Sequence, residues 1–183
     1  DIANAAGWKR GGKALENVVA LCDVDDERAS TTFKRFKKAA RYRDFRKMFD
    51  EKHKDIDEVI VSTQDTLHAV PAMNAMQLGK HVYVQKPLTH DVYEARMLTE
   101  AAVEYNVITQ MGNQGSSGEG IRRICEWIDA GTIGEVTEVQ CWTNRPVWEQ
   151  GMARPAESGK VPSSLDWDLL LGSAPERPYN PTF

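Results

Sequence analysis

The sequence predicts a doubly wound α/β fold built on a parallel sheet, and three observations carry that prediction. Short β-branched runs alternate with amphipathic helical stretches, in the order β, α, α, β, α, β, α, β up to residue 111. Two of the runs, Asp57–Ser62 (DEVIVS) and His81–Gln85 (HVYVQ), are joined by a helix, which makes a right-handed βαβ unit. Polar residues follow both runs, as Ser62-Thr63-Gln64-Asp65 and Gln85-Lys86-Pro87, at the strand ends where such sheets bind ligands.

Taken in order, Asp1–Ala6 reads as the tail of a helix with Gly7 near its end. Gly7, Gly11 and Gly12 are loop glycines without G-x-G-x-x-G spacing. Val18–Val24 (VVALCDV) is a strand ending in an acidic residue, and Glu27–Phe36 is a short helix. Residues 34 to 47 hold eight Lys and Arg, which read either as a phosphate or nucleic-acid patch or as a solvated face. Phe45, Met48 and Phe49 mark a second short helix. DEVIVS has the composition of a strand covered on both faces. Ala69, Ala72, Met73 and Met76 then share one helical face, with Pro71 in the first turns and Gly79 at the C-terminal end.

After the HVYVQ strand, Thr89 and Asp91 are helix starters for a long helix marked by Val92, Ala95, Leu98, Ala102 and Tyr105. Val107–Met111 (VITQM) is the last strand of the series. The glycine- and serine-rich break at 112–118 marks a boundary, dividing the chain into a domain of residues 1–114 and the start of a second at 115–183. Gly120–Ala130 is a helix with Ile121, Ile124, Cys125 and Ile128 on one face. EVTEVQCWTN alternates as a strand, residues 148–162 read as loop, and Leu165–Gly172 (LDWDLLLG) as a short amphipathic turn. The proline-rich tail excludes regular structure.

Composition narrows the class. The 183 residues are 41% apolar and 27% charged with a net charge of −4, so nothing global points to nucleic acid. Cys22, Cys125 and Cys141 are scattered and odd in number, which suits reduced thiols and a cytoplasmic location. No run approaches the ~20 apolar residues of a membrane span. No histidine pair has the H-x-x-x-H ligand spacing, so no metal is expected.

The stretch T-x-D-x-x-H at residues 63–68, G-K-H-V at 79–82 and x-K-P at 85–87 resembles the Gfo/Idh/MocA oxidoreductases, whose usual forms are TP-(N/D)-x-x-H and EKP. The resemblance extends from about Val18 to the C-terminus. Gln64 departs from the usual proline, and Gln85 from the usual glutamate, which removes a carboxylate beside the lysine. The resemblance implies a Rossmann-like, NAD-binding domain followed by an α+β domain with an open, mostly antiparallel sheet. In dinucleotide-binding folds the acidic residue that holds the adenosine ribose lies ~20 residues after the glycine fingerprint. Counting back from Asp23 places that fingerprint at or just before residue 1. The first strand and its glycine turn are therefore expected to be missing. The D-x-x-x-H pair of many family members is likewise not seen after Gly112, and both ends look cut.

The candidate residues follow. Asp23, with Asp25 as fallback, is expected to accept from both adenosine ribose hydroxyls; the alternative is a loop-capping aspartate. Ser62 and Thr63 stand where the cofactor crosses the sheet edge, and ordinary strand-end hydrogen bonding is the alternative. His68, at a helix N-terminus that disfavours the charged ring, is either a cofactor or substrate contact or a bridge between loops. Lys86 is expected to be sheltered between strand and proline and to act catalytically. Its ammonium would hydrogen-bond the nicotinamide ribose or the reacting hydroxyl and stabilise a developing alkoxide; an ion pair is the alternative. Gln85 can hydrogen-bond but is no base. Asn113 is expected to touch the cofactor and Gln114 the substrate, with a glycine-rich hinge as the alternative. Asn144 and Arg145 would meet a polyol substrate. Trp142, Trp148 and Trp167 suit core or interface.

The function implied is NAD-dependent hydride transfer to or from a hydroxyl-bearing carbon of a sugar, polyol or cyclitol. One alternative is an NAD-dependent glycosidase or lyase with transient internal redox, and another is a non-catalytic cofactor-binding fragment. The partners expected are a small carbohydrate-like substrate and further copies of the chain, since unpaired apolar strands invite association, with neither nucleic acid nor membrane.

Overall fold

The structure is a computed structural model that describes residues 9–10, 13–14, 17–145, 147, 150–151, 153 and 158–181. The helix tail expected at 1–6, the loop glycines 7, 11 and 12, and Trp148 lie outside the described residues. The chain forms two compact units, residues 1–112 with 159–183, and residues 113–158. The sequence divides instead at 114 and assigns 159–183 to the second domain.

In the first unit, β1 (Lys9–Arg10) and β2 (Lys13–Ala14) pair antiparallel. β3 (Ala20–Cys22) leads into α1 (Asp26–Arg35), β4 (Ala40–Tyr42) and α2 (Phe45–Lys52). β3 and β4 run parallel, with Ala20 opposite Ala40 and Cys22 opposite Tyr42. β4 has no counterpart in the sequence reading. It is three residues inside the basic run, and its strand character comes from the pairing with β3 rather than from its own composition.

β5 (Glu58–Val61), β6 (His81–Gln85) and β7 (Thr109–Gly112) form a parallel three-stranded sheet in that order. α3 (Ala69–Gln77) and α4 (Val92–Glu104) make the two crossovers and pack on each other. This is the expected α/β arrangement of open parallel sheets with connecting helices. Ala72, Ala75 and Met76 of α3 are at most 1% exposed and meet Val59, Val61, Val82 and Val84 in one core. Val19, Cys22, Tyr42 and Phe45 pack against that same core from the β3–β4 side.

Two boundaries shift. β7 begins two residues later than the VITQM run suggests, because the Ile108 N–H donates to the His81 ring rather than to a strand. α4 buries Leu98 and Ala101 while Val92 is 70% exposed, so its inner face is narrower than the expected set. Asp91 caps α4 by accepting from the Glu94 N–H, and Glu94 accepts in return from the His90 N–H.

In the second unit, α5 (Glu119–Asp129) shows its expected apolar face, with Ile121, Ile124 and Ile128 all more than a third exposed. The strand expected over EVTEVQCWTN does not form: residues 136–145 are unpaired, and Val139 is 75% exposed. A strand exists only through a neighbour's hydrogen bonds, and among the described residues no segment supplies them. α6 (Trp167–Leu171), in the first unit, matches the short amphipathic turn read from LDWDLLLG.

Candidate functional site

The candidate residues of the first unit stand just after parallel strands. Asp23 follows β3, and its N–H donates to the Tyr42 carbonyl at 3.0 Å. One carboxylate oxygen accepts from the Asp25 N–H at 3.0 Å, and among the described residues no donor reaches the other. Burial pushes this carboxyl above the usual carboxylate range, against the opposing pull of the Asp25 N–H and the Arg28 charge. The fallback, Asp25, is already engaged. It caps α1 by accepting from the Glu27 and Arg28 N–H groups at 3.0 and 3.3 Å. Burial would raise its carboxyl, but the Ser164 hydroxyl and those two N–H groups outweigh it and hold Asp25 below the usual range. Burial, with Asp23 and Asp44 adding, pushes the neighbouring Cys22 thiol up to about 12, which keeps it protonated and unreactive.

Ser62 and Thr63 are exposed after β5. Behind them His68 is 2% exposed. Its Nδ1 lies 2.7 Å from the Pro87 carbonyl and its Nε2 3.0 Å from the Thr63 carbonyl. A neutral imidazole has one N–H and donates to one of these at a time. The ring thus joins the loop after β5 to the loop after β6, the bridging geometry of the two alternatives. Lys86, just after β6, is exposed, contrary to the shelter expected of it. No described residue covers the side chain. Gln85 is half-buried beside Gly112. A Cβ on Gly112 would lie 2.7 Å from both Gln85 Oε1 and the Tyr83 hydroxyl, so only glycine lets these side chains lie across β7.

Asn113, Gln114, Asn144 and Arg145 belong to the other unit, and all four side chains are exposed. There the Arg145 N–H donates to Thr143 Oγ1 at 3.1 Å. Trp142 is 87% exposed, while Trp167 donates its indole N–H to the Arg177 carbonyl.

Half of the basic run is engaged locally, through Arg35 over the Phe36 ring and through Arg41, Arg43 and Arg46. Arg43 pairs with Asp26, and Arg46 with Asp44 at 2.7 Å. Arg41 donates to the Phe33 carbonyl and lies 5.0 Å over the Phe33 ring. β4 nevertheless places Arg43 one strand from Asp23, closer to the site than the run's place in the sequence suggests. Among the described residues no three His, Cys, Asp or Glu side chains converge on a metal position, and no helix is long and apolar enough to cross a membrane.

Sequence reasoning did not foresee where residues 164–172 go. The Asp26 N–H donates to the Ser164 carbonyl at 3.1 Å, and the Asp166 N–H to the Val24 carbonyl at 2.9 Å. Leu165 and Asp25 form an antiparallel bridge. Farther along, the Gln64 side-chain amide donates to the Leu170 carbonyl. The segment therefore spans from the loop after β3 to the loop after β5. Its amphipathic spacing is visible in the sequence; its partners are not.

A family profile described as an oxidoreductase family with an NAD-binding Rossmann fold matches residues 3–113. The chain is 29% identical to a 2,7-anhydro-N-acetylneuraminate hydratase of Mediterraneibacter gnavus over 52% of its own length and 25% of that protein's. It is 28% identical to inositol 2-dehydrogenase of Salmonella typhimurium, covering 64% of this chain and 35% of the relative. Among solved structures, a 3-ketoreductase from Actinomadura kijaniata in complex with TDP-benzene and NADP superimposes with a TM-score of 0.58 at 28% identity, covering 65% of this chain and 37% of the other. The chain spans between a quarter and about a third of the length of these curated relatives.

Proposed function

Because this chain belongs to the Gfo/Idh/MocA oxidoreductase family with its NAD-binding Rossmann fold, we propose that it forms the cofactor-binding part of an NAD-dependent oxidoreductase acting on a sugar, polyol or cyclitol hydroxyl. One observation carries the reading: a half-buried Asp23 after β3 keeps one carboxylate oxygen that no donor among the described residues reaches. A carboxylate so placed suits two free ribose hydroxyls, since it can accept from both. Ser62 and Thr63 would line the cofactor's path after β5, with His68 and Gln85 supporting the loops that carry them. NAD, when bound, supplies hydride acceptance. Lys86 would place its ammonium at the substrate hydroxyl oxygen and hold the charge that develops there. Asn113 would extend the cofactor contacts, and Gln114, Asn144 and Arg145 would meet the substrate.

A second reading has support of its own. One relative is named a hydratase, and adding water is no net oxidation, so a recycled cofactor is consistent with this family. The full-length protein assayed with NAD and a panel of sugars, polyols and anhydro sugars separates the two. Accumulating NADH supports the dehydrogenase, product without NADH supports internal redox, and no NAD binding at all would sink both.

A further inference from the structure

We propose that residues 164–172 form a fixed wall of the cofactor cleft at its adenosine end, and that Gln64 is the positioning residue that holds this wall against the cofactor loop. The inference rests on the reading of Asp23, Ser62 and Thr63 as cofactor contacts, and deepens it.

The attachments sit at telling places. One end of the segment is bonded to Val24, Asp25 and Asp26, the three residues directly after Asp23. The other is bonded to Gln64, the residue directly after Ser62 and Thr63. A single short stretch thus straps together the two loops that would hold the cofactor's ribose and its crossing point. The fit is built rather than incidental. Leu171 is buried. Gly172 has φ +54, and a Cβ there would run into the Leu67 side chain, with Cδ1 at 2.9 Å and Cγ at 3.0 Å. Within the wall, Trp167 packs edge-on against Tyr179 at 5.2 Å and donates to the Arg177 carbonyl.

Gln64 is the hinge pin of this arrangement. Its acceptor is a backbone carbonyl, so the side chain must bring an N–H, which glutamine does and a carboxylate or aliphatic chain does not. His68 fixes the other side of the same loop through the Thr63 carbonyl. The loop after β5 is therefore held from both directions before any ligand arrives, and preorganisation of this kind improves affinity by cutting the ordering cost of binding.

The test is calorimetric titration of the full-length protein with NAD and, separately, with AMP as a probe of the adenosine half. The variants are Gln64→Ala, Gln64→Glu and Ser164→Ala, with Gln64→Lys as the variant that keeps an N–H donor. Hydrogen exchange at the Asp166 amide reports whether the wall has come loose. In Gln64→Ala both affinities should weaken about five- to tenfold, the worth of one hydrogen bond. Gln64→Glu should lose more and Gln64→Lys less, and KM for NAD should rise more than kcat falls. Faster exchange at Asp166 with an unchanged affinity for NAD and AMP would overturn the inference while leaving the proposed function intact. An unliganded wild type, binding neither probe, would overturn both.

Discussion

The carbonyl of Pro87 lies 2.7 Å from Nδ1 of His68, nineteen residues earlier in the chain. The other ring nitrogen is 3.0 Å from the Thr63 carbonyl. One buried ring thereby holds the residue after Lys86 and the loop that contains Ser62 and Thr63, so the candidate groups of two strand ends share a support.

Replacing His68 with alanine should cost about 2–4 kcal/mol, because a cavity opens and the carbonyl that accepts the ring N–H loses its donor. Chemical denaturation of wild type and His68→Ala measures this. A loss under half a kcal/mol would show that the loops hold themselves.

Lys86→Ala should lower turnover about 10²- to 10³-fold, the usual range for a group that stabilises developing charge. NAD affinity should change far less, since Asp23 and the β5 loop are untouched. Because Lys86 is exposed rather than sheltered in this unit, its effect depends on substrate being present. Single-turnover kinetics beside NAD titration provides the check, and an unchanged turnover number removes Lys86 from the chemistry.

Asp23 should confer preference for NAD over NADP. At an effective dielectric of about 20, like charges ~4 Å apart repel by about 4 kcal/mol before solvent reduces it. A tenfold or greater preference is the conservative expectation, and Asp23→Ser should relax it. Arg43, one strand away, is held by Asp26 and so is a poor anchor for a 2′-phosphate. Equal affinities in the wild type would mean that Asp23 does not read the ribose.

The same residue predicts a pH effect of known sign. Burial raises the Asp23 carboxyl in the folded state, so the folded form favours the protonated group. Its stabilising contribution is present below the ordinary carboxylate pKa and is lost as pH rises through the raised value. Asp23→Asn should therefore raise the melting temperature at neutral pH, and the gain should shrink on acidification. Asp25 works in the opposite sense, as its lowered carboxyl stabilises above the ordinary range and loses that contribution as pH falls. A gain from Asp23→Asn that grows in acid would contradict the assignment.

Gly172→Ala should destabilise by about 2–4 kcal/mol, combining the left-handed backbone cost with crowding against Leu67. Denaturation midpoints give the number. A tolerated alanine would mean the segment does not seat against the β5 loop as closely as its contacts indicate.

The sequence by itself determined the elements whose signal is local. The α3 face of Ala69, Ala72 and Met76, the DEVIVS and HVYVQ strands, and the polar residues after them could be read from periodicity and composition, because each helix or buried strand carries its own pattern. The position of Asp23, Ser62, Thr63 and Lys86 at strand ends follows from that same pattern. Tertiary structure alone decided the rest. β4 is a strand because β3 lies beside it, and residues 136–145 are not, because no described neighbour pairs with them. Lys86 is exposed because exposure depends on what other segments cover, which no window of sequence contains. Gln64 reads as a departure from a motif until its amide is seen at the Leu170 carbonyl, 106 residues away. Hydrogen bonds between remote backbone groups leave no trace in spacing, so they appear only when the chain has closed on itself.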